Sequence, residues 1–332
     1  MTATEQAFAV RRRAGLFVLA HRGVVEVSGE DATRWLNGML SNDIQALEVG
    51  GEGAGCYALL LNHRAGIIAD LSVVRREQSY WLELEAAAVP RVLEHLDKFI
   101  VADDVVLADH SAAWLRLGLE GPAAPRILAA AVGCSAEQLP VARAAMETHI
   151  GGANAVTAAW GWSGEAAYQF FVPAAESAVL AEGLRAAAGP GELVEADESA
   201  LEILRVEAGV PRLGVELDED VLPDEARLDE AVSDTKGCYT GQEIVARLRS
   251  RGQVNHLLVG LRFPGETAPS PEAELRDESR RVGEVTSVAC SPDVGWVGLG
   301  FVRRTHAEPG TELQAAGQRA RVVELPFVRP GA

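Results

Sequence analysis

With 332 residues, 48% of them hydrophobic, and a formal net charge of -18, the chain is long enough for two or three domains around a sizeable core. That acidity excludes a nonspecific nucleic-acid binder, which needs a concentrated basic surface to neutralise phosphates. No apolar stretch approaches the ~20 residues of a membrane span. The four cysteines, Cys56, Cys134, Cys238 and Cys290, are scattered without the paired spacing of a zinc site or a disulfide framework.

The N-terminal run Ala14 to Ala20 follows Arg11-Arg12-Arg13 but ends at His21-Arg22 with no small-residue cleavage pattern, so it does not read as a secretory signal. The expectation is a soluble, cytoplasmic protein. Ala32, Trp35, Leu36, Met39 and Leu40 recur at i, i+3, i+4, i+7 and i+8, an amphipathic helix with Ser28 as its expected cap. Residues 56–61 read as a strand. The glycine-rich run 50–55 just before it opens no helix, so it cradles no phosphate. Asp70 follows, flanked by Ile67, Ile68, Ala69 and Leu71. It is either a turn residue capping backbone N–H groups or an acid-base group. Residues 80–85 read as another strand. Val89, Val92, Leu93, Leu96 and Ile100 form a second helical stripe with Pro90 in its first turn.

Gly161-Trp162-Ser163-Gly164 lacks the spacing of a nucleophile elbow, and Trp160 and Trp162 read as core residues. Residues 174–188 and 198–208 read as further helices. In the second of these, at ~100° per residue, Ala200, Ile203, Leu204 and Ala208 share one arc, and Glu207 lies inside it. A carboxylate on an apolar face needs a cation or a ligand's donors. An ion pair with Arg205 or Arg212 would meet that need. The tail predicts strands over 257–263, 282–289, 296–302 and 321–327, with a loop over 264–274.

The most informative segment is Lys236-Gly237-Cys238-Tyr239-Thr240-Gly241-Gln242-Glu243. Its two glycines allow a sharp turn that presents Cys238. A helix starting near Thr240, together with the Lys236 charge, would favour the thiolate. A buried structural cysteine is the competing reading, and spacing alone leaves both open. Arg247, Arg249 and Arg251 cluster just beyond it, either as a solvated helix face or as a basic groove.

This octapeptide resembles the K-G-C-Y-x-G-Q-E signature of the YgfZ-type folate-binding proteins, relatives of the aminomethyltransferase (T-protein) of glycine cleavage. The resemblance extends to residues 24–74, through 25–32, 40–44 and 65–71, to 201–243, and to the glycine-rich 282–304; residues 105–195 show little match. It implies a three-part α+β fold of the aminomethyltransferase-like (GcvT/YgfZ) kind. A folate-binding body of two interleaved subdomains would span 1–255 and a C-terminal β-barrel 256–332, with tetrahydrofolate in a channel where the parts meet.

By the same resemblance Glu207, in the context Arg-Val-Glu-Ala-Gly (205–209), anchors the pterin through its amino group and ring N–H. Asp70 matches the second acid of the T-protein's G-x-[IL]-x-D-D-L run, with Ala69 at the first, and faces the one-carbon region. Cys238 sits at the channel mouth. Lys236, Tyr239 and Arg247 are further expected folate contacts, the arginine toward the anionic glutamate tail, and no metal site is implied. The implied role is assembly or repair of iron-sulfur enzymes, including tRNA-modifying ones, with those enzymes or assembly proteins as partners. Two alternatives stand beside it: a folate-dependent aminomethyl or other one-carbon transferase, which Asp70 favours, and a partner-binding scaffold with a vestigial folate pocket.

Overall fold

The structure, a computed structural model, describes residues 1–51 and 53–331. Glu52, in the glycine-rich run, lies outside the described residues. The chain opens with α1 (Ala3–Arg12), β1 (Ala14–Val18), β2 (Arg22–Ser28), α2 (Ala32–Met39), β3 (Gly55–Leu61), β4 (Ile67–Arg75), β5 (Ser79–Glu85), α3 (Val89–Asp97) and β6 (Val106–Asp109). Strands β2 to β6 form an antiparallel sheet in the order β3-β4-β5-β2-β6.

There follow β7 (Trp114–Glu120), α4 (Ala124–Val132), β8 (Ala145–Ile150), β9 (Ala153–Ala158), β10 (Ala167–Pro173), α5 (Ser177–Ala187) and β11 (Leu193–Glu195). These strands join β1 in a second sheet, β11-β1-β7-β10-β9-β8. Helices α6 (Glu198–Ala208) and α7 (Gln242–Arg251) lead into β12 (His256–Arg262), β13 (Glu274–Asp277), β14 (Arg280–Ser291), β15 (Gly295–Arg303), β16 (Glu312–Ala315) and β17 (Gln318–Val323). These six strands close into a barrel. The architecture is the expected α+β fold in three parts ending in a barrel. Among the described residues no helix is long and apolar enough to cross a membrane.

Each sheet buries one face under its own helices. In the first, Leu71, Val73, Leu82 and Leu84 pack against Trp35, Leu36, Val92 and Leu96 of α2 and α3. In the second, Leu117, Leu119, Phe170 and Val172 pack against Ile127, Leu128, Leu180 and Leu184 of α4 and α5. Because side chains alternate along a strand, the remaining faces carry the intervening residues, and these faces meet each other. Val24, Val74 and Trp81 of the first sheet join Val156, Ala158 and Phe171 of the second in one buried cluster. Helix α6 braces this pair against the barrel: Leu201, Leu204 and Val206 pack with Ala7 and Val10 of α1 and with Leu258, Val297 and Leu299.

Several local expectations change. Ser28 closes β2 instead of capping α2, whose N-cap is Asp31. Helix α6 spans the expected 198–208 because Asp197 accepts the Ala200 N–H (3.0 Å) and Gly209 ends it at φ 76°. The barrel holds two strands the sequence did not suggest, β13 and β16, while Leu325 and Phe327 lie beyond the last strand and pack beside α6. In the octapeptide only Gly241 adopts a left-handed φ (84°), and a side chain there would meet the Asn62 carbonyl at 2.9 Å. Gly237 has neither a positive φ nor a close neighbour.

The segment before α7 is pinned to the β3–β4 hairpin, where the Ile67 N–H donates to the carbonyls of Asp218 and Val221 (3.0 and 3.2 Å). A Cβ on Gly66 would stand 1.8 Å from the Glu219 carbonyl oxygen. Gly66→Ala should therefore cost ~1–3 kcal/mol or more as overpacking against backbone, whereas Gly237→Ala should leave stability unchanged. Thermal melts of the two variants beside wild type check this.

Candidate functional site

The meeting faces of the two sheets turn polar toward one end. In register, Arg22 of β2 stands opposite Glu85 of β5, Val24 opposite Glu83, and Ser72 of β4 opposite Glu83 on its other side. Asp70, two residues before Ser72, shares that face. From the second sheet come Arg116, paired with Phe171, and Gln169, paired with Gly118. Alternation thus places five ionisable side chains and one amide at the interface between the two sheets.

Arg22 donates through Nε to Glu83 Oε1 and through Nη1 to Glu85 Oε1 (3.1 Å). Burial works against the Arg22 charge, but Glu83 and Glu85 outweigh it and hold its pKa above the ordinary value. Glu83 is fully buried, and the Arg22 and Arg116 charges overcome that burial and keep it below the usual carboxylate range. Arg116 is also fully buried. Its Nη2 donates to Gln169 Oε1 at 2.5 Å, its guanidinium stacks 3.2 Å from the Phe171 ring centre, and its Nη1 lies 4.0 Å from Glu83 Oε1. With no carboxylate of its own, Arg116 is pulled down by burial to about 9.

Asp70 accepts one hydrogen bond, from the Tyr57 hydroxyl to Oδ2 at 2.9 Å. Burial pushes its pKa up, and Arg22 and the tyrosine only partly oppose this. The strip also holds polar atoms that are buried and have no hydrogen-bond partner among the described residues: Asp70 Oδ1, Glu83 Oε2, Arg116 Nε and Nη1, and Gln169 Nε2. Each such atom costs ~1–3 kcal/mol if nothing satisfies it, so a group of them in one place makes the strip the candidate site. The adjoining cavity is lined by His21, Glu85, Trp162, Glu202, Arg205 and Arg212 and measures about 20 Å³, room for about one water. The two sheets are closely packed beside this cavity. A larger groove of about 450 Å³ runs beside Asp218, His256, Arg281 and Arg303, but no unpartnered buried atom lines it.

The other residues singled out from the sequence fall elsewhere. Glu207 is fully buried, as its place on the apolar arc of α6 requires, but its cation is Arg11 of α1. Arg11 Nε and Nη2 lie 2.9 and 2.7 Å from Glu207 Oε2, and Oε1 has no partner. The local candidates are engaged otherwise: Arg205 binds Glu202 and Glu216, and Arg212 binds Glu202.

Lys236 neither faces Cys238 nor offers a ligand contact. Its Nζ donates to the carbonyls of Asn37, Leu40 and Asn42 (2.5, 2.5 and 2.8 Å), closing the C-terminal end of α2. Burial lowers it to about 8, with the nearby Asp43 charge opposing that shift. Tyr239 is buried among Leu59, Leu61 and Val245. Cys238 is exposed and unpaired, so it is not a buried structural cysteine. Arg247 lies on the exposed face of α7; Arg249 is held by Asp224, Asp229 and Asp234, and the Arg251 side chain lies outside the described residues.

Residues 2–236 match the family described as GCVT N-terminal domain, and residues 257–329 match the glycine cleavage T-protein C-terminal barrel domain. The chain belongs to the glycine cleavage T-protein family. An aminomethyltransferase from Streptomyces avermitilis is 31% identical, over 98% of this chain and 89% of that protein. One from Rubrobacter xylanophilus is 34% identical, over 97% and 85%. The structure of glycine cleavage system aminomethyltransferase T from Bartonella henselae superposes with a TM-score of 0.86 at 27% identity, covering 98% of this chain and 89% of that one. These relatives overturn the iron-sulfur assembly role, its tRNA-modifying clients and its iron-sulfur partners, because similarity to aminomethyltransferases runs through almost the whole T-protein-like chain. The octapeptide that suggested that role covers eight positions.

Reading the sequence passed over Arg22, Tyr57, Glu83, Arg116 and Gln169. A signal was present, since Glu83 and Arg116 each interrupt a leucine-rich strand, but it has the pattern of an ordinary solvent-facing edge. Glu83→Gln should remove the one carboxylate that Arg22 and Arg116 share and cost ~3–5 kcal/mol, as expected for breaking a buried pair from one side. Urea unfolding at pH 7 measures it.

Proposed function

We propose that the protein is a tetrahydrofolate-dependent aminomethyl or one-carbon transferase with Asp70 as its acid-base group. The observation that carries the reading is Asp70 itself: a carboxyl buried between two sheets, its pKa raised by that burial, one oxygen held by Tyr57 and the other left without a partner. Such a group keeps its proton to higher pH than a surface aspartate, and it can exchange that proton with a nitrogen at Oδ1. The family membership and the aminomethyltransferase relatives support the same chemistry.

Tetrahydrofolate would supply the nitrogen that accepts the one-carbon unit. The unpartnered atoms of the strip suit a pterin, whose amino group, ring N–H and carbonyl need both acceptors and donors. Asp70 Oδ1 and Glu83 Oε2 are free acceptors, and Arg116 Nε and Nη1 and Gln169 Nε2 are free donors. With a cavity of only about 20 Å³ beside them, binding requires the sheets to part. Glu207 Oε1 is a further free acceptor, available to the pterin if Arg11 yields. Arg247 is the cation we assign to the glutamate tail. We also assign the folate site to a body over 1–255, with the barrel over 256–332 as its support. Within the family, the octapeptide supports the YgfZ type as the nearer subgroup; it carries no activity in this reading.

The test is anaerobic calorimetric titration with tetrahydrofolate, together with a transfer assay from an aminomethyl donor, on wild type and Asp70→Asn. Burial raises the folded-state pKa above the unfolded value of about 3.9, so the contribution of Asp70 to stability is present below that value. It is lost as pH rises through the folded-state pKa. Asp70→Asn should thus lower transfer ~10²–10⁴-fold without lowering the melting temperature at pH 7. Undiminished transfer in the variant would remove Asp70 from the chemistry, and absence of folate binding by wild type would remove the reading.

A further inference from the structure

The behaviour of Asp70 depends on a neighbour outside the polar strip. Tyr57 of β3 stands opposite Ser72 of β4, and Leu59 opposite Asp70, so Tyr57 and Asp70 are diagonal neighbours on one face, within reach of a long side chain. The tyrosine hydroxyl makes the one hydrogen bond this carboxyl has among the described residues. Burial and the adjacent Asp70 charge push the phenol's own pKa well up, which favours the protonated, hydrogen-bond-donating form. A phenol donating to Oδ2 leaves Oδ1 as the oxygen available for proton exchange.

The tyrosine is itself held from the other sheet's side. The Arg143 guanidinium lies 4.8 Å from the Tyr57 ring centre, with Nη2 2.8 Å from Glu230 Oε1 and Nη1 3.4 Å from Ser72 Oγ. Ala142 and Arg143 adopt φ of 44° and 72°, a left-handed pair that side-chain-bearing residues adopt only where surrounding contacts impose it. One such contact is at Gly55, two residues before Tyr57, where a Cβ would meet the Arg143 carbonyl oxygen at 2.5 Å.

We propose that Tyr57 is a positioning residue for the reaction at Asp70: its hydroxyl fixes the carboxyl through Oδ2 and presents Oδ1, and Arg143 holds the tyrosine in place across the sheet interface. The proposal rests on the reading of Asp70 as the acid-base group. The charged and titratable groups around the pair are Arg22 on β2, Glu83 and Glu85 on β5, and Arg143 and Glu230 over the ring. None of them replaces the phenol's hydrogen bond.

The test is Tyr57→Phe in the full-length protein, which keeps the ring and removes the donor. Carbon-13 NMR of the aspartate carboxyls, with Asp70 assigned by difference from Asp70→Asn, should show its midpoint rise by about one pH unit, a tenfold gain in proton affinity. Transfer should fall roughly tenfold in kcat, with KM for tetrahydrofolate within about twofold, and the pH limb should move with the NMR midpoint. In the Asp70→Asn background the same substitution should change activity no further. An unmoved Asp70 midpoint in a folded Tyr57→Phe protein would overturn the proposal and leave Tyr57 a packing residue. A wild type without folate binding or transfer would instead overturn the parent reading, while a shifted midpoint would still uphold the Tyr57–Asp70 coupling.

Discussion

The Arg22–Glu83 pair is the constraint around which the interior of the body is arranged. Two sheets that each have an apolar face under helices must still place their second faces somewhere, and here they place them against one another. An arginine and a glutamate taken out of water together are each costly to bury and far more costly to leave alone. The Arg22–Glu83 bond, with Glu85 on the far side of the guanidinium, therefore fixes how β2 and β5 present the strip to the second sheet. Arg116 depends on it in turn, since the carboxylate nearest to it is already held by Arg22. Any ligand that enters must provide hydrogen bonds of its own for what it separates, which favours one carrying donors and acceptors side by side.

Helix α6 transmits that arrangement to the rest of the chain. One flank gives Glu207 to Arg11, whose Nη1 also reaches Glu165 (2.9 Å) and the Ser163 carbonyl (3.1 Å). The other gives Arg205, whose donors reach Glu202, Glu216 (3.0 Å) and Ser287 (2.6 Å) of the barrel. Its C-terminal turn accepts the Phe327 N–H at the Glu207 carbonyl (2.8 Å). A single eleven-residue helix thus ties the N-terminal helix, the second sheet and the barrel together.

What the sequence makes legible follows from the range of the interactions involved. The boundaries of α6 are set by Asp197 and Gly209, which act on their own helix, and the apolar stripes of α2 and α3 are local periodicities. The partner of Glu207 is 196 positions away, and no local pattern distinguishes Arg11 from Arg12 or Arg205. Glu83 and Arg116 were hidden for a different reason. Alternation tells which residues share a face of a strand, not whether that face meets water or another sheet, and a charged residue between leucines has the same pattern in both cases. Asp70 was legible because its neighbours are apolar on both sides. Lys236 misled because proximity in sequence to Cys238 is not proximity of the ammonium to the thiol.

Two buried charged networks in this chain have similar components and different degrees of completion, and the contrast bears on function. Around Arg205 the donors and acceptors are matched: Nε and Nη2 reach Glu202, Nη1 reaches Glu216 and the Val210 carbonyl, and Glu216 also accepts from Thr286 (2.8 Å) and Ser287. That network closes on itself, as a permanent joint should. The strip between the sheets does not: an aspartate oxygen, a glutamate oxygen, two guanidinium nitrogens and an amide nitrogen remain without partners. Apolar residues of similar volume in place of such groups are often neutral or stabilising, so the strip is not explained by stability. Their presence beside an aspartate held by a single tyrosine supports the proposal of chemistry at the seam, with the α6–barrel joint as the support that keeps the seam in register.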